Sequence, residues 1–413
     1  MTIHHLRRRP LAHFAVAALV AACGEAGADR NAADPPSTLA AACQPASPAL
    51  DAALERLDTA LASFRDRESV PGMAVGIVCG DRLLWTRGFG VLAVDDSAPV
   101  TPRTPFRIAS LTKPFTATAI MLLAESGRLS LDDPVERHAP WFEVARPPGT
   151  GTAPVTIRHL LTHTAGMPRD SRLTDFERLY QPDRAAAIAA LPQQGLEAPP
   201  GSTYAYSNLG YAVLGAVIEE ASGDGYATFL EREIFAPLGM ERTVAHPARG
   251  ARTAWGHGPR DGDGARPKAG FWDLRFATPA GGMASSVVDL GRFVAMQLAP
   301  YAGDDPPLLS ADAIRESHRV QHMIDPARGG SGLAWGVDIT DGGRAVYHGG
   351  ELPDQTSFLR IDLQAGIGAI VLTNAEDVDA AGLAGMMIDA VRGSLPAERY
   401  SFHPLPREAD GRG

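Results

Sequence analysis

The sequence predicts a mixed α/β (α+β) fold: one antiparallel sheet built from both ends of the chain, flanked by helices, with a mostly helical lobe inserted. Three observations carry it. Strand-like apolar runs occur near both ends of the chain, in PGMAVGIVCGDRLLWTRGFG and again in LAWGVDIT, AVYHGG, SFLRIDL and GIGAIVLT. Helical spacing brackets them, at Leu50, Leu54, Leu57, Leu61 and Phe64 and again from about Val378 to Val391. Between Ile157 and Gly282 the pattern is helix and loop. The expected boundaries are a signal peptide over 1–22, a tether over 23–47 and a domain over 48–413. Within that domain a sheet lobe takes about 48–109 and 285–400, and a helical lobe about 110–284.

The N-terminal segment differs in kind from the rest. Arg7, Arg8 and Arg9 precede an apolar run from Leu11 to Ala22 that is too short to span a bilayer, the pattern of a signal peptide. It ends in VAAC, so Cys23 is a candidate for lipidation; an ordinary cleaved signal containing a cysteine is the alternative. The arginines fit Sec or twin-arginine export alike. The following stretch, rich in Ala, Gly, Asp and Pro, reads as a tether. Export into the periplasm, as a soluble protein or an outer-membrane lipoprotein facing it, is the localisation expected, with the membrane touched only through that anchor. With Cys23 lipidated, Cys43 and Cys79 remain, and an even pair in an oxidising compartment suggests a disulfide; two free thiols are the alternative.

Each element has a local reason. The first helix starts at Pro48, and the first two strands meet at a Gly80–Asp81 turn. A second helical pattern runs from Ser110 to Glu125, with Gly127 as its C-terminal cap. YAVLGAVIEEASG is the clearest helix of the middle block and again ends at a glycine. With 413 residues, 45% hydrophobic and 21% charged, the chain is long and apolar enough for a large core. A net charge of −10 without a basic stripe gives nucleic-acid binding no support.

The chemistry is signalled by composition. Of 38 basic residues, 36 are arginines and only Lys113 and Lys268 are lysines. Arginine stays charged, whereas a buried lysine amine can lose its proton. Lys113 stands three residues after Ser110 at an expected helix start, a spacing that sets the two side chains side by side. A desolvated lysine there would activate the hydroxyl as a nucleophile. Tyr206 and Asn208 form a Y-x-N just before a helix, and a phenol with a depressed pKa could act as general base. His348, Gly349 and Gly350 end a strand whose glycines permit close approach of another backbone. Each motif alone also fits a bland reading: a capping serine with a surface lysine, a buried tyrosine, a solvated histidine.

Taken together, the order S-x-x-K, Y-x-N, H-x-G resembles the serine beta-lactamase-like family, which includes class C beta-lactamases, D-alanyl-D-alanine carboxypeptidases and related esterases. GRLSLDDPV, IRHLLTHTAGMP, PPGSTYAYSNLGYAVLG, IFAPLGMERT, PAGGMASSVVDLGRF and LTNAED extend the likeness over roughly Leu54 to Asn374. The resemblance implies a beta-lactamase/transpeptidase-like fold and a cofactor-free acyl-enzyme mechanism. In it Ser110 attacks and Tyr206 takes the proton, with Lys113 holding the phenol's pKa down or sharing the proton. Asn208 contacts the substrate, His348 polarises the site or binds a carboxylate when protonated, and the backbone N–H groups of Ser110 and Glu351 form the oxyanion hole. The chain departs in having H-G-G followed by Glu351, where relatives have K-T-G or H-T-G; this favours an uncharged small ester or amide over a carboxylate-bearing peptide or beta-lactam. A non-turning-over penicillin-binding or sensor protein is the reading of another class. His159 and His163 lie four apart, but no third ligand accompanies them, so no metal is expected; Trp335 reads as core.

Overall fold

The computed structural model describes residues 48–175, 178–248, 253–340 and 343–392. The expected signal peptide and tether, with Cys23 and Cys43, lie outside the described residues. The chain opens with helix α1 (Pro48–Arg67), then strands β1 (Gly72–Cys79), β2 (Arg82–Ala93), β3 (Asp96–Pro99) and β4 (Phe106–Arg107). Helix α2 (Thr112–Glu125) and helix α3 (Asn208–Ser222) dominate the middle block. After β5 (Ala284–Ser285) and helix α4 (Val287–Ala302) come β6 (His322–Asp325), β7 (Gly329–Ser331), β8 (Gly336–Thr340), β9 (Gly343–Leu352), β10 (Gln355–Asp362) and β11 (Ile367–Thr373), and then helix α5 (Ala380–Arg392).

Nine strands form one antiparallel sheet in the order β3-β2-β1-β11-β10-β9-β8-β7-β6. The two ends of the chain meet at its centre, where β1 pairs with β11 from Met73↔Thr373 to Cys79↔Ile367. β1 reads as an unbroken apolar run because both its faces are covered. Met73, Val75, Ile77 and Cys79 point into a layer with Leu57 and Leu61 of α1 and Leu383, Ala384 and Met387 of α5. Ala74 and Val78 point the other way, into the layer of Leu290, Phe293 and Val294 on α4. At Gly76 a Cβ would come within 2.4 Å of Val287 Cγ1, so the missing side chain is what lets α4 lie flat on the sheet.

In the middle block, Thr112 to Met121 of α2 and Leu209 to Ile218 of α3 are buried at every position, the mark of helices covered on all sides. They pack on each other and on the short helix Thr278–Gly281. The two-stranded ribbon β4–β5 (Phe106↔Ser285, Arg107↔Ala284) lies where the chain enters and leaves this block, immediately before Ser110. Expected and observed elements agree for β1, β2, β9, β10, β11 and the terminal helices. β3, β6 and β7 were not expected: each has three or four residues, polar or glycine-rich, too short to show alternation.

Candidate active site

Ser110 lies in a 3-10 turn, Ala109–Leu111, that precedes α2 rather than opening it. Ala109 has φ +47, a left-handed backbone without glycine's freedom. Neighbours hold it there. The Thr112 hydroxyl donates to Ala109 O at 2.8 Å and accepts from Met283 N. Ser357 Oγ of β10 donates to Ile108 O at 2.8 Å. Gly350 of β9 completes the seat: a Cβ there would meet Ile108 O at 2.4 Å and Ser357 Oγ at 2.3 Å, so only glycine lets β9 approach the Ser110 turn this closely.

Lys113 is fully buried, one turn on from Ser110. Its Nζ lies 3.1 Å from Ser110 Oγ, 2.8 Å from Asn208 Oδ1 and 2.7 Å from Ala280 O. Burial pushes its pKa well below the ordinary lysine value, with Asp170 opposing and Arg169 assisting. A neutral amine has two N–H donors and one lone pair. In the neutral form that burial favours, the amide and carbonyl oxygens take the two donors and the lone pair is left for the serine hydroxyl.

Tyr206 and Asn208 are brought to the same place by the residue between them. Ser207 caps α3 in extended backbone (φ −130, ψ 114), its side chain accepting from Gly210 N. An extended residue sends its two neighbours to the same side. The Tyr206 ring therefore packs 4.7 Å from Lys113 Nζ while Asn208 reaches the same amine. The expectation of a depressed phenol pKa is corrected here. Burial pushes Tyr206 up to about 12, and its hydrogen bond with Ser110 and the charge of Arg169 only partly offset this. At neutral pH the phenol keeps its proton, while burial favours the neutral amine of Lys113 beside it.

β9 supplies the opposite wall. β8 pairs with it only as far as Tyr347, so 348–352 has β10 on one side and no described strand on the other. His348 is buried and its Nδ1–H donates to Gly349 O at 2.6 Å. Burial, then Lys113, push its pKa down to about 3, so the imidazole is neutral and offers Nε2 as an acceptor. This corrects the carboxylate-binding role: a neutral ring brings no charge to that task. Glu351 is exposed, and its carboxylate lies within 4.8 Å of those of Glu376 and Asp377.

Two residues that sequence reasoning missed complete the set. Asp170 Oδ1 accepts from Asn208 Nδ2 at 3.0 Å. A carboxylate can only accept, so it turns the Asn208 amide to present Oδ1 to Lys113. Arg169 places its guanidinium 5.3 Å from the Tyr206 ring centroid and its carbonyl accepts from Asn208 N. Both follow the GMP of THTAGMPRD, in a loop without periodicity, so nothing in the sequence marked them. The Ala280 carbonyl, just before Gly281 and Gly282, accepts from the Lys113 amine. His159 is occupied with capping, its Nδ1 accepting from Thr156 N, and Trp335 is core, as expected. Cys79 is disulfide-bonded, with its partner outside the described residues.

Beside Ser110, Ala109 packs with Trp272, Leu274 and Leu352, and Leu179 leans on that cluster. Leu179 also lines an open cavity of about 280 Å³ with Tyr180, Pro247 and Phe271. On its rim Asp273 faces both His246 and Arg275.

The Beta-lactamase family model matches residues 57–391. Penicillin-binding protein 4 of Amycolatopsis lactamdurans is 32% identical over 330 residues, 78% of this chain and 84% of that protein. Protein flp of Staphylococcus aureus (strain COL) is 27% identical over 324 residues, again 78% of this chain; the match spans 63% of the flp protein. Among solved structures, the octameric penicillin-binding protein homologue from Pyrococcus abyssi is similar with a TM-score of 0.72 and 28% identity, covering 84% of this chain and 78% of that one. EstCE1, a hydrolase with promiscuous acyltransferase activity, shares the fold with a TM-score of 0.70 at 23% identity, covering 84% of this chain and all of that one. The family match takes in both halves of the sheet and the block between them, and the chain belongs to the Beta-lactamase family, whose members are generally serine hydrolases.

Proposed function

We propose that this protein is an exported serine hydrolase that acts through an acyl-enzyme on Ser110, with small uncharged esters or amides as substrates. The observation that carries the mechanism is the amine of Lys113, desolvated, 3.1 Å from Ser110 Oγ, with two pure acceptors taking its N–H groups. Ser110 Oγ attacks the carbonyl carbon while its proton passes to Lys113, directly or through the Tyr206 hydroxyl, which gives up one proton as it takes another. The oxyanion is received by the N–H groups of Ser110 and Glu351. Collapse breaks the bond to the leaving group, which takes a proton back from the Lys113–Tyr206 pair. Water then repeats the sequence on the ester, releasing the acid. Donors of the oxyanion-hole kind are worth on the order of 3 kcal/mol each.

The substrate class rests on charge and shape. The carboxylates of Glu351, Glu376 and Asp377 stand beside the oxyanion strand and repel a substrate carboxylate, and the walls near Ala109 are apolar. A D-alanyl-D-alanine carboxypeptidase or beta-lactamase is the second reading, favoured by the 32% identity to a penicillin-binding protein. The decisive experiment treats the purified protein with a fluorophosphonate, maps the adduct, and screens p-nitrophenyl esters, nitrocefin and a D-Ala-D-Ala peptide. One adduct on Ser110 and turnover of the esters, both lost in Ser110→Ala, is the result expected. An adduct on another residue, or turnover surviving in Ser110→Ala, refutes the assignment.

A further inference from the structure

His163 is not used by the mechanism above, yet its ring lies against Tyr206 and it hydrogen-bonds both neighbours of that residue. We propose that His163 is a positioning residue: it grips the backbone on both flanks of Tyr206 and backs the phenol with its own ring. Its carbonyl accepts from Ala205 N at 2.8 Å, and its Nδ1 accepts from Ser207 N at 3.1 Å. Between those two anchors the Tyr206 ring lies 4.3 Å from the imidazole, inclined by 31°. The inference rests on the proposed serine-hydrolase reading, since it concerns the placement of that reading's phenol.

Three features separate this role from ordinary core packing. His163 has φ +59, a left-handed backbone that sets its carbonyl and its ring toward the same loop and that few residues adopt. With Nδ1 accepting, the proton of the neutral ring sits on Nε2, which has no hydrogen-bond partner among the described residues. A residue serving only to fill space would be better apolar there. Burial first, then Lys113, His348 and Arg169, hold the ring's pKa well below its ordinary value, so it stays neutral and Nδ1 keeps its lone pair for Ser207. The ring also meets Tyr211 at 5.0 Å and Tyr204 at 5.8 Å, which fixes its own tilt.

The test uses three variants of the full chain. His163→Ala removes the acceptor. His163→Asn keeps an acceptor at the Nδ1 position and tolerates positive φ. His163→Gln carries its amide one bond too far. Fluorophosphonate labelling of Ser110 and steady-state hydrolysis of p-nitrophenyl acetate are measured on folded, monodisperse protein. The Ala variant should acylate on the order of 10²-fold slower with KM within about threefold of the parent, the size expected for a displaced proton-transfer group. The Asn variant should recover at least about tenfold of that loss. Should His163→Ala not fold, Asn against Gln decides, with Asn expected about tenfold faster. Equal rates in parent and Ala, or in Asn and Gln, overturn the proposal while leaving Ser110 intact; a parent that does not label at Ser110 overturns both.

Discussion

The chain contains two lysines, and they stand in opposite environments. Lys268 extends along the surface, its Nζ 2.9 Å from both oxygens of Asp95 and 4.6 Å from the Trp255 ring, with about a third of its side chain in solvent. Lys113 is buried completely, and the partners at its amine are neutral: a hydroxyl, an amide and a carbonyl. The first is a cation answered by an anion. The second has dipoles around it and Asp170 only at second remove, through Asn208. A surface pair of the first kind contributes little and is screened by salt. The second arrangement penalises the charged state and so favours the neutral amine. The same side chain thus serves as an ornament of the surface in one place and, in the mechanism proposed above, as a reagent in the other.

Exchanging the two sites' tolerance is the sharpest way to break this comparison. Lys113→Arg should lower kcat/KM by about 10⁴-fold, the top of the range for a positioned proton acceptor, because a guanidinium cannot deprotonate. Lys268→Arg should leave kcat/KM unchanged and the melting temperature within about 2 °C. Equal tolerance at both positions in the same assay would remove the distinction. Tyr206→Phe comes next. It keeps the ring against Lys113 and removes the relay hydroxyl, and single-turnover acylation should slow by about 10³-fold. A phenol titrating near 12 predicts that no phenolate absorbance from Tyr206 appears below pH 10 in the parent, which difference spectroscopy against the Phe variant reads directly.

Asp170→Asn sharpens the comparison from the other side. The Asp170 charge raises the Lys113 pKa. Its removal lowers that pKa further, so the acid limb of the kcat/KM profile should move to lower pH, with a loss of about tenfold or less at the plateau from the looser Asn208 amide. A limb that stays in place would mean that Lys113 is not the titrating base. The smallest effect is on stability. Lys113 has a depressed pKa in the folded state and an ordinary one unfolded. Between those values the unfolded chain binds the extra proton, so stability rises with pH, by at most about 1.4 kcal/mol per unit. Urea denaturation of parent and Lys113→Met across pH 7.5–10 should show a steeper rise in the parent than in the variant.

Much of the site was legible because its residues act close together in sequence. Ser110 and Lys113 are one helical turn apart, and the scarcity of lysine marked the second. Tyr206 and Asn208 flank a cap. The order of these motifs with His348 then pointed to the fold. What could not be read depends on distance or burial. Asp170 meets Asn208 from 38 positions away through a loop. The direction of the Tyr206 shift is set by how much protein covers the phenol, and adjacency to a lysine gave the opposite expectation. Likewise β3, β6 and β7 exist because neighbouring strands offer them hydrogen bonds, not because their own residues favour extension.

Ala109 holds its left-handed backbone only because Thr112, Ser357, Gly350, Trp272, Leu274 and Leu352 surround it. Released from them, it would gain on the order of 1 kcal/mol by relaxing to a right-handed conformation. The sheet centre, where β1 is covered on both faces, has no comparable reason to let go. On warming, then, the Ser110 turn is the spring expected to open first, and its latch lies on β9, β10, the 272–274 loop and Thr112 at the start of the helix that carries the lysine. Thermal inactivation should therefore run ahead of thermal unfolding, with catalysis failing while the amides of β1 and β11 are still protected from exchange.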